Sequence, residues 1–261
     1  MDPYGDPSEP ELRAPEPIQA SKLHGYLTVS GGFFIHLFCG CLYLWGSIQN
    51  YVLSYYHNIV KDESVSPDMV SLIITLSMFS MSLTNYFGAW LQKRILARYI
   101  MAIGSVIMLL GVFIASLCTS WWPFVFFYAF VYPLGIGVVY YVPIICGWEW
   151  FPEKRGFATG AVVSGFGLGS FFFGFLTTAI ANPNNLRPHT LEVEGDTYFP
   201  DEVAENVPKM LRICLIFWFI LCLIGIFTVR RNPDYVWAQQ QCTRSEMMER
   251  QQVMHGSLRS S

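Results

Sequence analysis

The chain has 261 residues, of which 53% are apolar and only 13% are charged, and its mean hydropathy is +0.38. Soluble domains usually contain about 25% charged residues, so the composition excludes an ordinary soluble protein and indicates a membrane protein with several spans. The net charge of −3 says little about partners, but no basic block indicates nucleic acid, and we predict the lipid bilayer rather than nucleic acid as the partner.

Two polar tails flank the apolar part of the chain. Residues 1–25 contain five prolines and several acids, so we predict a disordered tail. This tail has neither the basic start and apolar core of a signal peptide nor the acid-poor composition of a transit peptide. Residues 233–261 are predicted to form a polar C-terminal tail.

Six apolar runs between the tails predict an all-α membrane protein, because each is long enough to cross a bilayer as a helix of about 20 residues. Ser66 before Pro67 is a good N-cap for the second helix. The sequence shows no metal-ligand cluster, phosphate loop or nucleophile triad, and it therefore predicts no metal, no cofactor and no enzymatic site. The predicted spans, numbered 1 to 6, are 26–49, 67–91, 99–118, 121–148, 156–182 and 209–229.

The connections between spans alternate in charge. The connections after spans 2 and 4 and the exit from span 6 are basic, whereas the loop between spans 5 and 6 is acidic. Positive residues remain on the cytoplasmic side of a membrane, so the pattern predicts that both termini lie in the cytoplasm or its equivalent. The basic residues are Lys93, Arg94, Arg98, Lys154, Arg155, Arg230 and Arg231.

Span 5 contains two rows of small residues spaced four apart. Small residues at this spacing let two helix backbones approach closely inside a membrane. We expect a close helix contact at Gly165 and Gly169, and we expect Gly104, in a span without such a row, to tolerate a larger side chain better. The rows are Gly156, Gly160 and Ser164, and Ala161, Gly165 and Gly169.

The phrase Trp150-Phe-Pro-x-Lys-Arg-Gly-x-Ala-x-Gly, followed by Ser-Gly-x-Gly-x-Gly, resembles the junction between the fourth and fifth helices of major facilitator transporters. It is most similar to the oxalate:formate antiporter and monocarboxylate transporter branch. Tyr132-Pro-Leu-Gly-Ile-Gly137 resembles the family's fourth helix, and Arg231-Asn-Pro233 resembles the exit from its sixth. The resemblance covers residues 26–232 and implies the N-terminal six-helix half of that fold, built from two inverted repeats of three helices.

The resemblance implies secondary transport of a small organic anion, such as a monocarboxylate or oxalate and formate, by antiport or by symport with protons. Two other functions stay open: a non-transporting membrane subunit of a larger complex, and a truncated transporter that needs a separate second half. We expect the chain to pair with a second copy, a second transporter half or another membrane protein. In the antiporters that it resembles, the essential cations lie in the second half.

Several uncharged polar residues and one histidine lie inside the spans. His36 is the candidate proton carrier, although a neutral histidine bonded to a neighbouring helix fits the sequence equally well. The other candidates for the substrate path are Tyr43, Gln49, Asn85, Tyr140 and Tyr141, each of which is also compatible with ordinary packing.

The connection after span 2 departs from the family pattern. That pattern is Gly-x-x-x-Asp-Arg, whereas here Gly88 is followed by Gln92, Lys93 and Arg94. The family's aspartate makes charged contacts that stabilise one gating state. The resemblance therefore implies that this state is less stable here, because the uncharged Gln92 takes the place of the aspartate. Near the same end of the bundle, we expect Glu149 and Glu153 to pair with Lys154, Arg155 or Arg94.

Overall fold

A computed structural model describes residues 21–92, 94–190, 197–239 and 241–242. Residues 22–231 form one compact unit. Residues 232–239 belong to a second, smaller unit and are helical from 233. Residues 1–20 of the predicted N-terminal tail lie outside the described residues. The tail ends earlier than its predicted end at residue 25, because the first helix begins at Lys22.

The predicted all-α architecture with six spans is confirmed. Six helices of the described chain are long and apolar enough to cross a membrane. A two-stranded antiparallel pair, β1 (His189–Thr190) and β2 (Thr197–Tyr198), lies between the fifth and sixth of them. The helices are span 1 Lys22–Val60, span 2 Pro67–Leu91, span 3 Ala97–Ala115, span 4 Trp121–Trp150, span 5 Pro152–Ala181 and span 6 Asp201–Thr228.

Span 1 is much longer than predicted. Gln49 does not end it, because the helix continues through Ser54 and then as a π-helical turn to Val60. Tyr56 in this extension is buried, and its hydroxyl donates to the carbonyl oxygen of Cys118 at 3.1 Å. Packing against the start of span 4 therefore stabilises a polar-looking segment as helix.

The other spans differ from prediction only near their ends. Span 3 begins at Ala97, two residues early, and span 4 continues to Trp150. Span 6 begins with a short turn, Asp201–Ala204, before its main helix starts at Val207. Span 2 begins as predicted, with the Ser66 side chain accepting a hydrogen bond from the backbone N–H of Met69.

The six spans interlock as two sets of three. Span 1 packs mainly against spans 5 and 6, whereas span 4 packs mainly against spans 2 and 3. The first helix of each repeat, span 1 or span 4, therefore packs against the last two helices of the other repeat, as expected for two inverted repeats of three helices. Spans 1 and 4 are accordingly the most buried: 72% and 67% of their central apolar stretches of 18 residues are buried, against only 22% and 28% in spans 2 and 5.

Glycines create the closest contacts between spans. A Cβ at Gly165 would collide with the carbonyl oxygen of Phe33, and one at Gly169 would collide with the carbonyl oxygen of Leu37. These two glycines therefore lie directly on the backbone of span 1, where no larger residue fits without moving a helix.

Glycines also create close contacts between spans 2 and 4. A Cβ at Gly88 would collide with the carbonyl oxygen of Val138, and one at Gly137 would collide with that of Met81. Gly88, which the resemblance assigns to a gating connection, thus also has a packing role at the end of span 2.

Gly104, which we expected to tolerate a larger side chain better than Gly165 or Gly169, also lies in a close contact. A Cβ there would lie 3.0 Å from the carbonyl oxygen of Gly135 and would collide with the side chain of Val139. Gly111 of the same span lies equally close to the backbone of Tyr132, so span 3 also approaches span 4 through glycines. Gly156 and Gly160 behave oppositely: no atom of the described residues outside their own helix lies within 4 Å of a Cβ built there.

The basic connections meet at one end of the bundle. Trp150 Nε1 donates to the carbonyl oxygen of Arg230 at 2.8 Å, which places the end of span 4 beside the exit of span 6. Gln92 reaches the same region of span 4 from the end of span 2. At the opposite end, Asn58 Nδ2 donates to the carbonyl oxygen of Phe199 in the loop between spans 5 and 6.

Candidate transport site

Four of the predicted site residues lie together where spans 1, 4 and 5 meet. The ring centroids of His36 and Tyr140 are 5.1 Å apart, and Phe166 lies 5.4 Å from Tyr140 and 5.5 Å from Tyr43. Tyr141 stacks edge-on against Tyr140 at 5.2 Å. We name this group, drawn from spans 1, 4 and 5, the imidazole–tyrosine cluster: His36, Tyr43, Tyr140, Tyr141 and Phe166.

Close backbone contacts between spans 1 and 5 position the cluster. A Cβ at Gly40 would collide with the carbonyl oxygen of Phe166, so only glycine lets the two helices approach here. This contact places the Phe166 ring between His36 and Tyr43. Sequence reasoning missed Phe166, although its position between Gly165 and Gly167 marks it as part of a close helix contact.

His36 is fully buried, and only one of its two ring nitrogens makes a hydrogen bond with a described residue. Its Nδ1 lies 2.9 Å from the carbonyl oxygen of Gly32, which can only accept, so Nδ1 carries the proton in the neutral ring. The bond is to its own helix rather than to a neighbouring one. Nε2 is then an acceptor, and it makes no hydrogen bond with any described residue. A buried acceptor of this kind is a place where a proton or a donor group can bind.

The cluster extends from this buried ring to an exposed surface. Tyr43 is 48% exposed and Tyr141 is 39% exposed, whereas His36 is inaccessible. Beside Phe166, Gly167 has open space where a side chain would lie. Gly156, Gly160, Ser164 and Gly167 are all exposed and share one side of span 5, and we name this side the open face.

The cluster offers hydrogen-bond donors without a permanent charge. Phenol hydroxyls and an imidazole can donate to a carboxylate, and the aromatic rings can cover the apolar part of a small substrate. An anion inside a membrane is costly unless a cation accompanies it. Within the cluster, only His36 can become that cation, by accepting a proton at Nε2.

Two predicted path residues lie elsewhere. Asn85 is in the contact between spans 2 and 4, where its backbone nitrogen lies 3.0 Å from the position of a Cβ at Gly137. Its Oδ1 is buried without a hydrogen-bond partner among the described residues. Gln49 is half-buried in the long part of span 1 and makes no ring contact or hydrogen bond with the cluster. The structure therefore separates both residues from the cluster.

Gln92 is buried at the basic end of the bundle. Its Nε2 lies 3.4 Å from both the carbonyl oxygen of Val142 and the thiol sulfur of Cys146, and Oε1 has no hydrogen-bond partner in the described chain. A neutral amide suits these uncharged neighbours, whereas an aspartate here would need a cation. Of the two residues that follow, Lys93 lies outside the described residues, and the guanidinium of Arg94 lies 4.7 Å from the ring centre of Trp90.

The predicted partners of Glu149 and Glu153 are wrong. Glu149 pairs with Arg231, whose Nε and Nη2 lie 2.8 and 2.5 Å from Glu149 Oε1. Glu149 is on the buried side of span 4, whereas Lys154 and Arg155 start span 5 and face outward. Glu153 is exposed and has no ion-pair partner within 4 Å among the described residues.

Comparison with known proteins places the chain in a family. The family model described as Major Facilitator Superfamily matches residues 28–233. Apicoplast pyruvate carrier 1 of Toxoplasma gondii is 27% identical over 248 residues, which cover 79% of this chain and 45% of the carrier. An MFS-type transporter of Gibberella moniliformis is 30% identical over 169 residues, which cover 63% of this chain and 39% of that protein. The chain thus spans less than half the length of these curated relatives.

Proposed function

Since the chain belongs to the Major Facilitator Superfamily, we propose that it forms one half of a transporter that carries a small monocarboxylate, such as pyruvate, together with a proton. Six apolar helices and the family match make it an integral, multi-pass membrane protein. The substrate class is supported by the similarity to a protein named a pyruvate carrier and by the chemistry of the imidazole–tyrosine cluster.

One observation carries the proposal: His36 Nε2 is a buried acceptor without a hydrogen bond, among phenols that lead to an exposed face. Protonation of Nε2 would create one positive charge beside Tyr140. A monocarboxylate carries one negative charge, so the pair would be neutral when it crosses the membrane. Oxalate carries two charges and would need a second cation, which the cluster does not contain.

Transport also requires a partner for the open face. Substrate paths in this superfamily lie between two halves, and the four small residues of the open face leave room for another helix. We place a second six-span unit there, which is a second copy, the other half of a transporter or part of another membrane protein. With both termini in the cytoplasm, the basic end of the bundle would face the cytoplasm as well.

Uptake of labelled pyruvate by membrane vesicles from cells producing the chain tests the proposal. Tyr140→Phe removes one hydroxyl from the cluster, and we expect the apparent KM to rise about tenfold, since a hydrogen bond to a charged group contributes about 1.5–3 kcal/mol. Tyr99→Phe, on the exposed side of span 3, is the matched control and should leave KM unchanged.

The same vesicles test the role of the proton. We expect an inward proton gradient to accelerate uptake in the wild type, whereas His36→Gln, which cannot supply the cation, should lose that acceleration and most of the uptake. Saturable uptake that neither variant alters would contradict the assigned site. Vesicles that take up labelled oxalate but not labelled pyruvate would contradict the proposed substrate.

A further inference from the structure

Phe166 is the member of the imidazole–tyrosine cluster that has no polar group, and its ring contacts three of the others. Its ring centroid lies 5.4 Å from that of Tyr140, 5.5 Å from that of Tyr43 and 6.4 Å from that of His36. The three rings meet it nearly edge-on, at interplanar angles of 88°, 82° and 67°. An apolar ring therefore lies between the buried imidazole and the exposed phenol of Tyr43.

Backbone contacts fix the place from which this ring projects. The carbonyl oxygen of Phe166 lies where a Cβ at Gly40 would be, and the preceding Gly165 rests in the same way on the carbonyl oxygen of Phe33. Close-packed contacts of this kind resist displacement, so the two helices cannot come nearer to each other to make room for a bulkier substrate. The space that the cluster leaves beside span 1 is therefore limited by the side chain at position 166.

The hydrogen-bonding groups of the cluster indicate how a monocarboxylate would lie against this ring. A carboxylate accepts hydrogen bonds from the hydroxyl of Tyr140 and, once the imidazole is protonated, from Nε2 of His36. Both of these rings contact Phe166, so the carbon chain attached to the carboxylate has an apolar ring beside it. Burial of an apolar group against an apolar wall is favourable, and polar groups in such sites fix the orientation of the ligand.

We propose that Phe166 determines the size of the substrate: its ring contacts the methyl group of pyruvate and excludes monocarboxylates with a bulky group at that carbon. The proposal rests on the transport function proposed above and adds a specificity-determining residue to it. Phenylpyruvate is pyruvate with a phenyl ring added at the methyl carbon. Phe166→Ala removes a phenyl ring from the cluster, so this variant offers phenylpyruvate the space that the added ring needs.

Competition in membrane vesicles from cells producing the chain tests the proposal. Uptake of labelled pyruvate is inhibited with unlabelled pyruvate or phenylpyruvate, and the ratio of the two half-inhibitory concentrations is independent of the amount of folded chain. We expect phenylpyruvate to be the weaker competitor in the wild type. Phe166→Ala should shift the ratio by about tenfold or more in favour of phenylpyruvate, because a single methylene group already alters discrimination about 10–200-fold.

Two further variants separate the size of the ring from its other effects. Phe166→Leu removes only part of the ring and should give an intermediate ratio. Phe113→Ala, on the exposed side of span 3, makes the same change of side chain far from the cluster and should keep the wild-type ratio.

The unfolding temperature of the purified chain gives the same comparison without transport, because a ligand that binds the folded chain raises it. We expect pyruvate to stabilise the wild type more than phenylpyruvate does, and we expect the reverse order for Phe166→Ala. A lower unfolding temperature of Phe166→Ala in which the order of the two acids is unchanged would show that the ring only packs between spans 1 and 5.

The outcomes separate this inference from the function on which it rests. Wild-type vesicles that take up labelled pyruvate, with an unchanged ratio in Phe166→Ala, would overturn the role of Phe166 and leave the proposed function standing. Uptake of oxalate in place of pyruvate, together with a purified chain that neither pyruvate nor phenylpyruvate stabilises, would overturn both.

Discussion

Arg231 donates two hydrogen bonds to a single carboxylate oxygen of Glu149 and so ties the exit of span 6 to the last turn of span 4. The two partners are not equally buried, since the side chain of Glu149 is 4% exposed and that of Arg231 is 28% exposed. If Arg231 is removed, the buried carboxylate loses these two hydrogen bonds and the positive charge of the guanidinium. If Glu149 is removed, the arginine can turn toward water.

We therefore predict that Arg231→Gln destabilises the chain more than Glu149→Gln. Breaking a buried ion pair by removing one partner costs about 3–5 kcal/mol in the free energy of unfolding, whereas the neutral glutamine at 149 should cost clearly less. Unfolding of the purified chain in mixed micelles measures both values. Arg230→Gln, at an exposed neighbour, is the control. A larger loss for Glu149→Gln would contradict this account of the pair.

The second prediction concerns two glycines of span 5 that are five residues apart. Gly165→Leu places a side chain on the carbonyl oxygen of Phe33 and should lower the free energy of unfolding by about 1–3 kcal/mol. Gly160→Leu meets open space and should change it by much less. If the two variants unfold at the same detergent concentration, the contact between spans 1 and 5 is looser than the structure shows.

Gly104→Leu gives a third prediction, on span 3. Because Val139 and the backbone of Gly135 occupy the space, we expect a loss of about 1–3 kcal/mol, similar to that of Gly165→Leu. Ile103→Leu, at an exposed neighbour, controls for a change of side chain on the same helix. If Gly104→Leu has the same free energy of unfolding as the wild type, spans 3 and 4 can move apart without destabilising the chain.

The sequence predicts where the six spans lie, but it does not predict where every helix ends. The six spans follow from apolar runs, because the bilayer requires about 20 apolar residues whatever the neighbours are. The end of span 1 could not be found in this way. Gln49 and Asn50 resemble an end, but packing of Tyr56 against the loop before span 4 stabilises about three more turns of helix, as far as Val60. Helix ends depend on tertiary contacts that a single segment does not encode.

The candidate site shows the same division. Polar residues inside spans are visible in the sequence, so His36 and Tyr140 could be named. Which of them meet depends on the approach of spans 1 and 5, and that approach brings in Phe166 and leaves Asn85 on another contact. Likewise, Glu149 pairs with a residue 82 positions away rather than with the nearby basic turn.

A fourth prediction concerns topology. The structure places Arg94 and the loop residue Glu205 at opposite ends of the bundle, and both are exposed. In a chain in which Cys118 and Cys242 are replaced by serine, we expect Arg94→Cys to react with a membrane-impermeant maleimide only after the cells are opened. Glu205→Cys should react in intact cells. Labelling of both from the same side would contradict the six-span arrangement, and the reverse result would invert the proposed orientation.

The last prediction concerns the open face of span 5. Gly156, Gly160, Ser164 and Gly167 present almost no side chain, and glycine destabilises a helix unless another backbone comes close to it. Lipid tails would pack poorly in this groove, whereas a second helix would fill it. We expect the chain, solubilised with its native lipid, to have a mass above that of one copy, and Gly160→Leu to reduce it to one copy without changing the unfolding midpoint. Leu76→Ile, on the exposed side of span 2, should alter neither the mass nor the unfolding midpoint.

Because Gly165→Leu acts inside the half and Gly160→Leu acts outside it, the two variants separate loss of folding from loss of a partner. A wild-type chain that has the mass of one copy in nanodiscs, and in which Ser164→Cys forms no cross-link, would show that the open face lies against lipid.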